Sequence, residues 1–300
     1  YVENYFDNLD VQDEINNKLD ETVEDGTFPE IVGDYLMKKL DYYIVDTTTS
    51  QSDIQDLMDI ERSKVIEFMD GTYNFTTTFR LNSNTKLVLN NAVINTTQTH
   101  LFFNFKNTDT TVTDYNGVHN IQIIGGKFNA GCSFIHGKNM GITSPYFYHI
   151  SNDHMIEICA CQNVVIDNGK FEGVVAQADS RNYVENVQIE NATYTNFPWL
   201  AEGSATFDNT ACDNITIKNS SFIQTNVDTH RLYAGIGSHT HVADHPHTNI
   251  NISNNKIVNP TSYGIRLVNV IGVTIDHNTL SDNIYAYINT DTIAITVNRT

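Results

Sequence analysis

Basic residues are scarce in this 300-residue chain. Its 17 Lys and Arg stand against 36 Asp and Glu, which gives a formal net charge of −19 at pH 7. A protein that binds nucleic acid needs a basic face to neutralise phosphates, and docking on an anionic membrane has the same requirement. The composition therefore argues against both classes of partner.

Long apolar runs and paired cysteine motifs are also missing. No stretch reaches the roughly 18 apolar residues that predict a membrane-spanning helix, and nothing resembles a signal peptide. The spacing of the cysteines is neither that of a zinc ribbon nor that of a CxxC redox pair. We interpret all four as small buried apolar residues of a protein made in a reducing cytoplasm. They are Cys132, Cys159, Cys161 and Cys212.

A recurring nine-residue phrase is the main positive feature of the sequence. It reads "NVVIDNGKF" from Asn163, "NITIKNSSF" from Asn214 and "NINISNNKI" from Asn249, and apolar residues alternate within it. Its first inward residue is Val164, Val187, Ile215, Ile250 or Val273, at steps of 23, 28, 35 and 23 residues, with Leu87 and Ile121 upstream. A degenerate copy lies near Ile142. A second apolar column follows seven positions later, at Ile94, Phe128, Phe171, Tyr194, Phe222, Ile257 and Leu280.

This repeat predicts an all-β solenoid. Period-2 alternation indicates strands, and a fixed step with loop insertions is typical of stacked coils. The leucine-rich consensus of the competing repeat class is absent, so we expect a right-handed parallel β-helix. A recurrent Asn tolerates the left-handed backbone of a tight corner and can hydrogen-bond to the next coil. The predicted ladder is Asn168, Asn191, Asn219 and Asn254.

The amino-terminal part has a different pattern. Apolar residues from Val11 to Val23 recur at i, i+4, which predicts an amphipathic helix that ends near Gly26. We assign residues 1–50 to a helical stem that mediates self-association and residues 51–300 to the β-helix. A second helix is predicted from Ser52, with Ile54, Leu57 and Met58 facing inward. Because the chain begins with Tyr1 and stops within its pattern at Thr300, we expect a fragment truncated at its carboxyl end.

The helix from Ser52 resembles the entry into pectin-lyase-like β-helices of phage tail proteins, together with the segments "VIEFMDGTYNF" and "FRLNSNTKLVLNNAVI" that follow it. The resemblance implies that this helix caps the solenoid. The opening "YVENYFDNLDVQDEINNKLDETVEDGTF" is similar to the stem of tail and neck-appendage proteins of phages that infect Gram-positive bacteria. The resemblance implies a homotrimer in the virion, made in the host cytoplasm, that contacts other tail proteins and acts at the bacterial surface. Such proteins include glycan depolymerases, teichoic-acid-degrading appendages and inert adhesins.

Alignment of the strand before each phrase places several charged residues in one outward column. The column would hold Glu157, Asp179, Asp208 and Arg266, with the 237–239 segment between the last two. Acids on neighbouring coils would lie about 5 Å apart and on alternate coils about 10 Å apart. Those spacings bracket the carboxylate separations of glycosidases, and stacked acids raise each other's pKa. The three acids are therefore candidate catalytic residues, although a solvated acidic face is the alternative.

A histidine-rich insertion supplies further candidates, in the segment "HRLYAGIGSHTHVADHPHTNI". Its histidines could act as a base, polarise a phosphate or contact sugar. No cofactor is predicted; the one alternative is a divalent metal at His239, His241, His245 and His247. The predicted substrate-binding residues are His154, Trp199, His230, Arg231, His239, His247 and Arg266.

Together these patterns predict a phage appendage that binds and hydrolyses a bacterial surface glycopolymer, either a capsular polysaccharide or wall teichoic acid. The activity would be that of a glycoside hydrolase or a teichoic-acid phosphodiesterase. A non-catalytic receptor-binding adhesin is the first alternative, and a polysaccharide lyase is the second.

Overall fold

The computed structural model describes residues 41–98, 100–103, 112–148, 154–173, 185–193, 208–224, 234–238, 242–258, 263–280, 285–289 and 295–297. The described chain is all-β apart from one short helix, α1 (Gln51–Asp59). The strands are β1 (Tyr42–Val45), β2 (Lys64–Phe68), β3 (Thr72–Phe75), β4 (Phe79–Arg80), β5 (Thr85–Thr96), β6 (His100–Phe103), β7 (His119–Phe128), β8 (Gly131–Ile135), β9 (Lys138–Thr143), β10 (Tyr146–Tyr148), β11 (Ile156–Cys159), β12 (Gln162–Asp167), β13 (Lys170–Glu172), β14 (Glu185–Glu190), β15 (Asp213–Lys218), β16 (Ser221–Ile223), β17 (Ala234–Ser238), β18 (His247–Ser253), β19 (Lys256–Val258), β20 (Tyr263–Val268), β21 (Val270–Asp276), β22 (Thr279–Leu280), β23 (Tyr285–Asn289) and β24 (Ile295–Val297).

The strands stack in parallel into a β-helix with three sheets. Sheet one runs β7-β9-β12-β15-β18-β21-β24, and sheet two runs β7-β10-β13-β16-β19-β22. The long strands β5 and β7 take part in both and join them, while sheet three runs β4-β6-β8-β11-β14-β17-β20-β23. Each coil thus contributes one short strand to each sheet, which confirms the predicted parallel β-helix.

Helix α1 lies next to the first coils, where the sequence predicts a cap. Its N-cap is Ser50, whose side chain accepts a hydrogen bond of 3.1 Å from the backbone N–H of Asp53. Ile54 and Met58 are buried. These two residues lie at i and i+4, on the same face of the helix. This apolar face of α1 covers the end of the solenoid.

Both apolar columns of the repeat line the core. Val164 pairs with Met140 and Ile215, and the column continues through Ile250 to Val273. In sheet two, Phe171 stacks on Phe147 and Phe222 at centroid distances of 5.5 and 4.6 Å with nearly parallel rings. These residues are all buried, so each coil is held by burial of apolar surface against the coils above and below.

One copy of the phrase is assigned to the wrong sheet by the sequence pattern. Val187 pairs with Ile156 and Ile236 in sheet three, and it does not belong to the column of Val164. The coil from Val164 therefore closes at Ile215, 51 residues later, so the predicted steps of 23 and 28 residues are two parts of one enlarged coil. Strands of sheets one and three have the same alternation of apolar residues, so spacing alone does not distinguish them.

The asparagine ladder exists, but it uses another position of the phrase. Asn84, Asn120, Asn139, Asn163 and Asn214 each have a positive φ, between 55° and 60°. The side-chain amides of the last four each donate to the Asn of the preceding coil at 2.8–3.2 Å. Of the predicted set, Asn168, Asn219 and Asn254 do have a positive φ at a second corner. The side chains of Asn168 and Asn219, however, donate to Ser144 and Asp167, and Asn191 is buried and donates to the carbonyls of Asn209 and His245.

The predicted stem helix around Val11–Val23 lies outside the described residues, so the stem and its role in self-association stay predictions. Residues 44–300 fall into one compact unit. Within the described ranges, no helix is both long enough and apolar enough to cross a membrane.

Candidate functional site

The predicted column is built by the outward positions of sheet three. Glu157 on β11 pairs with Ser133 on one side and with Gln188 on the other, and Gln188 pairs with Gly237. Gly237 in turn pairs with Arg266. Glu157 and Arg266 thus share a column, as predicted. They are three rungs apart, or about 14 Å, because strands stack about 4.8 Å apart.

This column is covered rather than open to solvent. Glu157 is 7 % exposed, Ser133 3 % and Gln188 1 %, and every described residue of β8, β11 and β17 is buried. The prediction that Glu157 lies on an exposed outer surface is therefore wrong. Alternation correctly predicts which way a side chain points, but it carries no information about what packs against the outside of the sheet.

Glu157 lies within a polar cluster with two histidines. Its Oε2 is 3.3 Å from His100 Nε2, and both side chains are at most a tenth exposed. Burial alone would raise the pKa of Glu157, but the hydrogen bond and charge interaction with His100, the electrostatic effect of His154 and the Ser133 hydroxyl outweigh it and lower the pKa to about 2. The expectation of a raised pKa from stacked acids is wrong, because the neighbours in the column are Ser133 and Gln188 instead of carboxylates.

Two polar residues of β14 belong to the same covered surface and carry no signal in the sequence repeat. The Gln188 side chain donates to the Glu190 carboxylate, and both residues are buried. A Gln beside a Glu on an alternating strand is typical of a solvated surface, so only the structure reveals that the pair is enclosed. Glu190 is therefore a second buried carboxylate on this face of the described chain.

Asp208 lies away from the column, in the segment that leads into β15. Its carboxylate accepts hydrogen bonds from the backbone N–H of Asp114 at 2.8 Å and of Thr210 at 3.0 Å. Burial acts to raise its pKa, but these N–H donors, with a smaller contribution from His136, lower the pKa overall. Asp208 thus holds two backbone segments together, and its predicted place in the column of Glu157 is wrong.

His247 is a core residue. It is fully buried, and its Nδ1 accepts a 3.0 Å hydrogen bond from the backbone N–H of Cys212. A ring nitrogen that accepts a backbone proton in the interior is not available to a substrate or a metal. The structure thus places His247 in the core instead of on an open surface, and its roles in binding and in metal coordination stay predictions.

The other predicted site residues divide into placed and undescribed ones. Arg266 is partly buried and donates to the Ser238 carbonyl at 3.2 Å. His154 is buried near Glu157. His245 is exposed in a turn, where its backbone N–H donates to the Val242 carbonyl. The positions outside the described residues are Asp179, Trp199, His230, Arg231, His239 and His241.

Neither a metal nor a reactive thiol is indicated in the described part of the chain. That part contains no cluster of three or more His, Cys, Asp or Glu that could hold a metal ion. All four cysteines are free and buried, and burial raises the pKa of each thiol. Their interpretation as small buried apolar residues is confirmed.

Asp213 is a structural carboxylate that sequence reasoning missed. It accepts from the Thr248 hydroxyl at 2.6 Å, the Asn249 amide at 2.8 Å and the Gln162 amide at 2.9 Å. It thereby joins Asn249, the next corner residue with a positive φ, to the asparagine ladder. Burial opposes ionisation, but these three donors lower its pKa.

Comparison with known proteins gives one curated relative. The plasmin and fibronectin-binding protein A of Streptococcus pneumoniae is 29% identical over 147 residues, which are 47% of this chain and 20% of that protein. The chain thus spans about a fifth of the relative's length. No family model matches the chain.

Solved structures show the same fold. One crystal structure of PfbA, a surface adhesin of Streptococcus pneumoniae, superposes with a TM-score of 0.63 and 23% identity, over 77% of this chain and 60% of that one. Another structure of the same surface protein gives a TM-score of 0.68 and 22% identity, over 82% and 69%. At these identities the likeness establishes the β-helix and nothing finer.

Proposed function

We propose that this chain is the β-helical binding region of a surface adhesin whose partner is plasmin or fibronectin. The observation that carries the proposal is the 29% identity over 147 residues with a plasmin and fibronectin-binding protein. The β-helix shared with PfbA, a surface adhesin, is consistent with it.

The geometry of the predicted catalytic residues also favours binding over hydrolysis. A glycosidase needs one carboxyl group with a raised pKa to protonate the leaving group, beside a second carboxylate. Glu157 is enclosed and has a pKa of about 2, and the pKa of Asp208 is lowered as well. Both carboxylates therefore stay ionised at neutral pH and satisfy donors of the protein itself.

The test is a direct binding assay. The purified chain is passed over immobilised plasmin and over immobilised fibronectin, with serum albumin as the control surface. Saturable binding to either protein, with none to albumin, is expected. Absence of binding to both would contradict the proposal.

A virion-borne trimer that cleaves a wall glycopolymer is the alternative outcome. To detect it, the same preparation is incubated with purified capsular polysaccharide and wall teichoic acid, and the polymers are then sized by chromatography. Shortening of a polymer without binding to plasmin or fibronectin would favour the depolymerase.

A further inference from the structure

The outer surface of sheet two carries positive charge on an otherwise acidic protein. Among the described residues from β7 to β22, the outward side chains of this sheet include three lysines and one carboxylate, Glu172. The whole chain, by contrast, has a net charge of −19. Such a local reversal of sign favours an anionic ligand over a cationic one.

The three lysines lie in one straight row. Lys127 pairs with Tyr146, Tyr146 pairs with Lys170, and Lys170 pairs with Ser221. Ser221 then pairs with Lys256, so a lysine occupies every second coil. Because coils stack about 4.8 Å apart, the lysine Cα atoms are about 10 Å apart along the helix axis. We name this set, Lys127–Tyr146–Lys170–Ser221–Lys256, the lysine row.

The Tyr146 ring holds the ammonium groups of two lysines of the row in place. The Lys127 ammonium lies 5.1 Å from the Tyr146 ring centroid, and that of Lys170 lies 4.3 Å from the same centroid. Lys127 is also 4.6 Å from the centroid of Tyr148, the next outward residue of β10. Cation–π contacts of this kind hold flexible side chains in place, which reduces the entropy lost when they bind a ligand.

The charge of the row is only partly neutralised. Lys170 forms a 2.8 Å ion pair with Glu172, but its side chain is still 47% exposed. In the described part of the chain, neither Lys127 nor Lys256 forms an ion pair with a carboxylate. The row thus carries lysines whose Cα atoms recur at a regular spacing, and Lys170 and Lys256 are exposed to solvent.

We propose that the lysine row binds a linear acidic polysaccharide that carries a carboxylate on every second sugar. The charges of such a chain recur once per disaccharide, at a spacing comparable to that of the lysines, and its length suits a row that continues over several coils. An extended acidic peptide fits less well, since side chains on one of its faces recur about every 6.8 Å. This ligand is additional to plasmin or fibronectin, so either proposal can fail without the other.

The test uses a hyaluronan decasaccharide, in which glucuronate alternates with a neutral sugar, labelled at its reducing end. Fluorescence polarisation at low ionic strength is expected to show saturable binding that weakens as salt is added. The triple variant Lys127→Gln, Lys170→Gln, Lys256→Gln should bind at least about tenfold more weakly, since it removes all three ammonium groups that would face the carboxylates of the ligand.

A matched variant separates position from net charge. Lys86→Gln, Lys138→Gln, Lys218→Gln removes the same charge from sheet one and its corner, and its affinity should stay within about twofold of the original. Tyr146→Ala should weaken binding several-fold, whereas Tyr146→Phe, which keeps the ring, should not. Melting temperatures check that each variant is folded. If the triple variant of the row is not folded, the single variants Lys127→Gln and Lys256→Gln replace it, and each is expected to lose part of the affinity.

Three results would overturn the proposal. They are the absence of saturable binding at low salt, equal loss of affinity in the two triple variants, and equal or tighter binding of poly-L-glutamate of the same charge. The last result would assign the row to acidic peptides.

Discussion

At the scale of single residues, the two candidate acids that the structure describes, Glu157 and Asp208, both contact other groups of the protein. Glu157 lies 3.3 Å from His100, and Asp208 and Asp213 accept hydrogen bonds that connect separate coils and loops. The sequence correctly predicted that Glu157 and Arg266 share one outward column of side chains. Their environment could not be predicted, because exposure depends on parts of the chain that follow no repeat.

Replacement of Glu157 by Gln should destabilise the protein, because it leaves the histidines of the cluster without a buried counter-charge. The expected loss is about 1–3 kcal/mol of unfolding free energy, the usual cost of removing one partner from a buried polar pair. Urea denaturation monitored by circular dichroism measures it. Glu67→Gln, on the solvated side of β2, is the control and should change stability by less than about 0.5 kcal/mol.

The same residue predicts a pH dependence. The pKa of Glu157 is lowered from 4.5 to about 2 on folding, so its contribution to stability is fully present above pH 4.5 and is lost as the pH falls towards 2. The difference in melting temperature between the original protein and the Glu157→Gln variant should therefore shrink across this interval. A difference that stays constant from pH 6 to pH 2.5 would contradict the assignment.

At the scale of elements, the repeat predicted strands and core columns well and corners less well. The columns of Val164 and Phe171 follow from alternation alone, since burial is the only constraint on them. The prediction assigned the ladder to the wrong Asn of the phrase. Both Asn positions lie at corners with a positive φ, as Asn163 and Asn168 show. Only the hydrogen-bond partners distinguish a ladder from a corner.

A corner of the ladder can be tested with two substitutions at one position. Asn163 has a φ of 56°, and its amide donates to Asn139 while it accepts from Asn214. Asn163→Ala should lower the free energy of unfolding by about 1–2 kcal/mol more than Asn163→Gly does. Both variants lose the hydrogen bonds, but only Ala is strained in the left-handed conformation. Equal unfolding free energies for the two variants would show that the backbone is not constrained there.

The aromatic stack should contribute much of the cohesion between coils. Phe171 is fully buried between Phe147 and Phe222, so Phe171→Ala should cost about 3–5 kcal/mol, with Phe171→Leu as the milder control. Thermal unfolding of both variants measures the difference. A loss below about 1 kcal/mol for the Ala variant would mean that the coil collapses onto the cavity.

At the scale of the whole molecule, the sequence predicted the β-helix but favoured a depolymerase over the adhesin that we propose. A solenoid has the same period whether its outer surface binds, cleaves or does neither, and the repeat records only its core. The distinction depends on the surroundings of a few carboxylates, such as Glu157, and on relatedness over part of the chain.

Stability should not depend on a bound metal. The β-helix described here is held by apolar columns and amide ladders, and the part of the chain that the structure describes has no group of ligands for an ion. We expect EDTA to leave the melting temperature within about 1 °C of that in calcium-containing buffer. A large fall would instead indicate that a metal holds the fold together.

The account is tested most directly by the binding of the double variant Glu157→Gln, Asp208→Asn to immobilised plasmin and fibronectin. If the chain is an adhesin and these carboxylates are structural, the folded double variant binds whichever partner the original protein binds, with an affinity within about threefold. If the original protein binds neither partner but shortens a wall glycopolymer, and the folded double variant no longer does so, the chain is a depolymerase and the account is wrong.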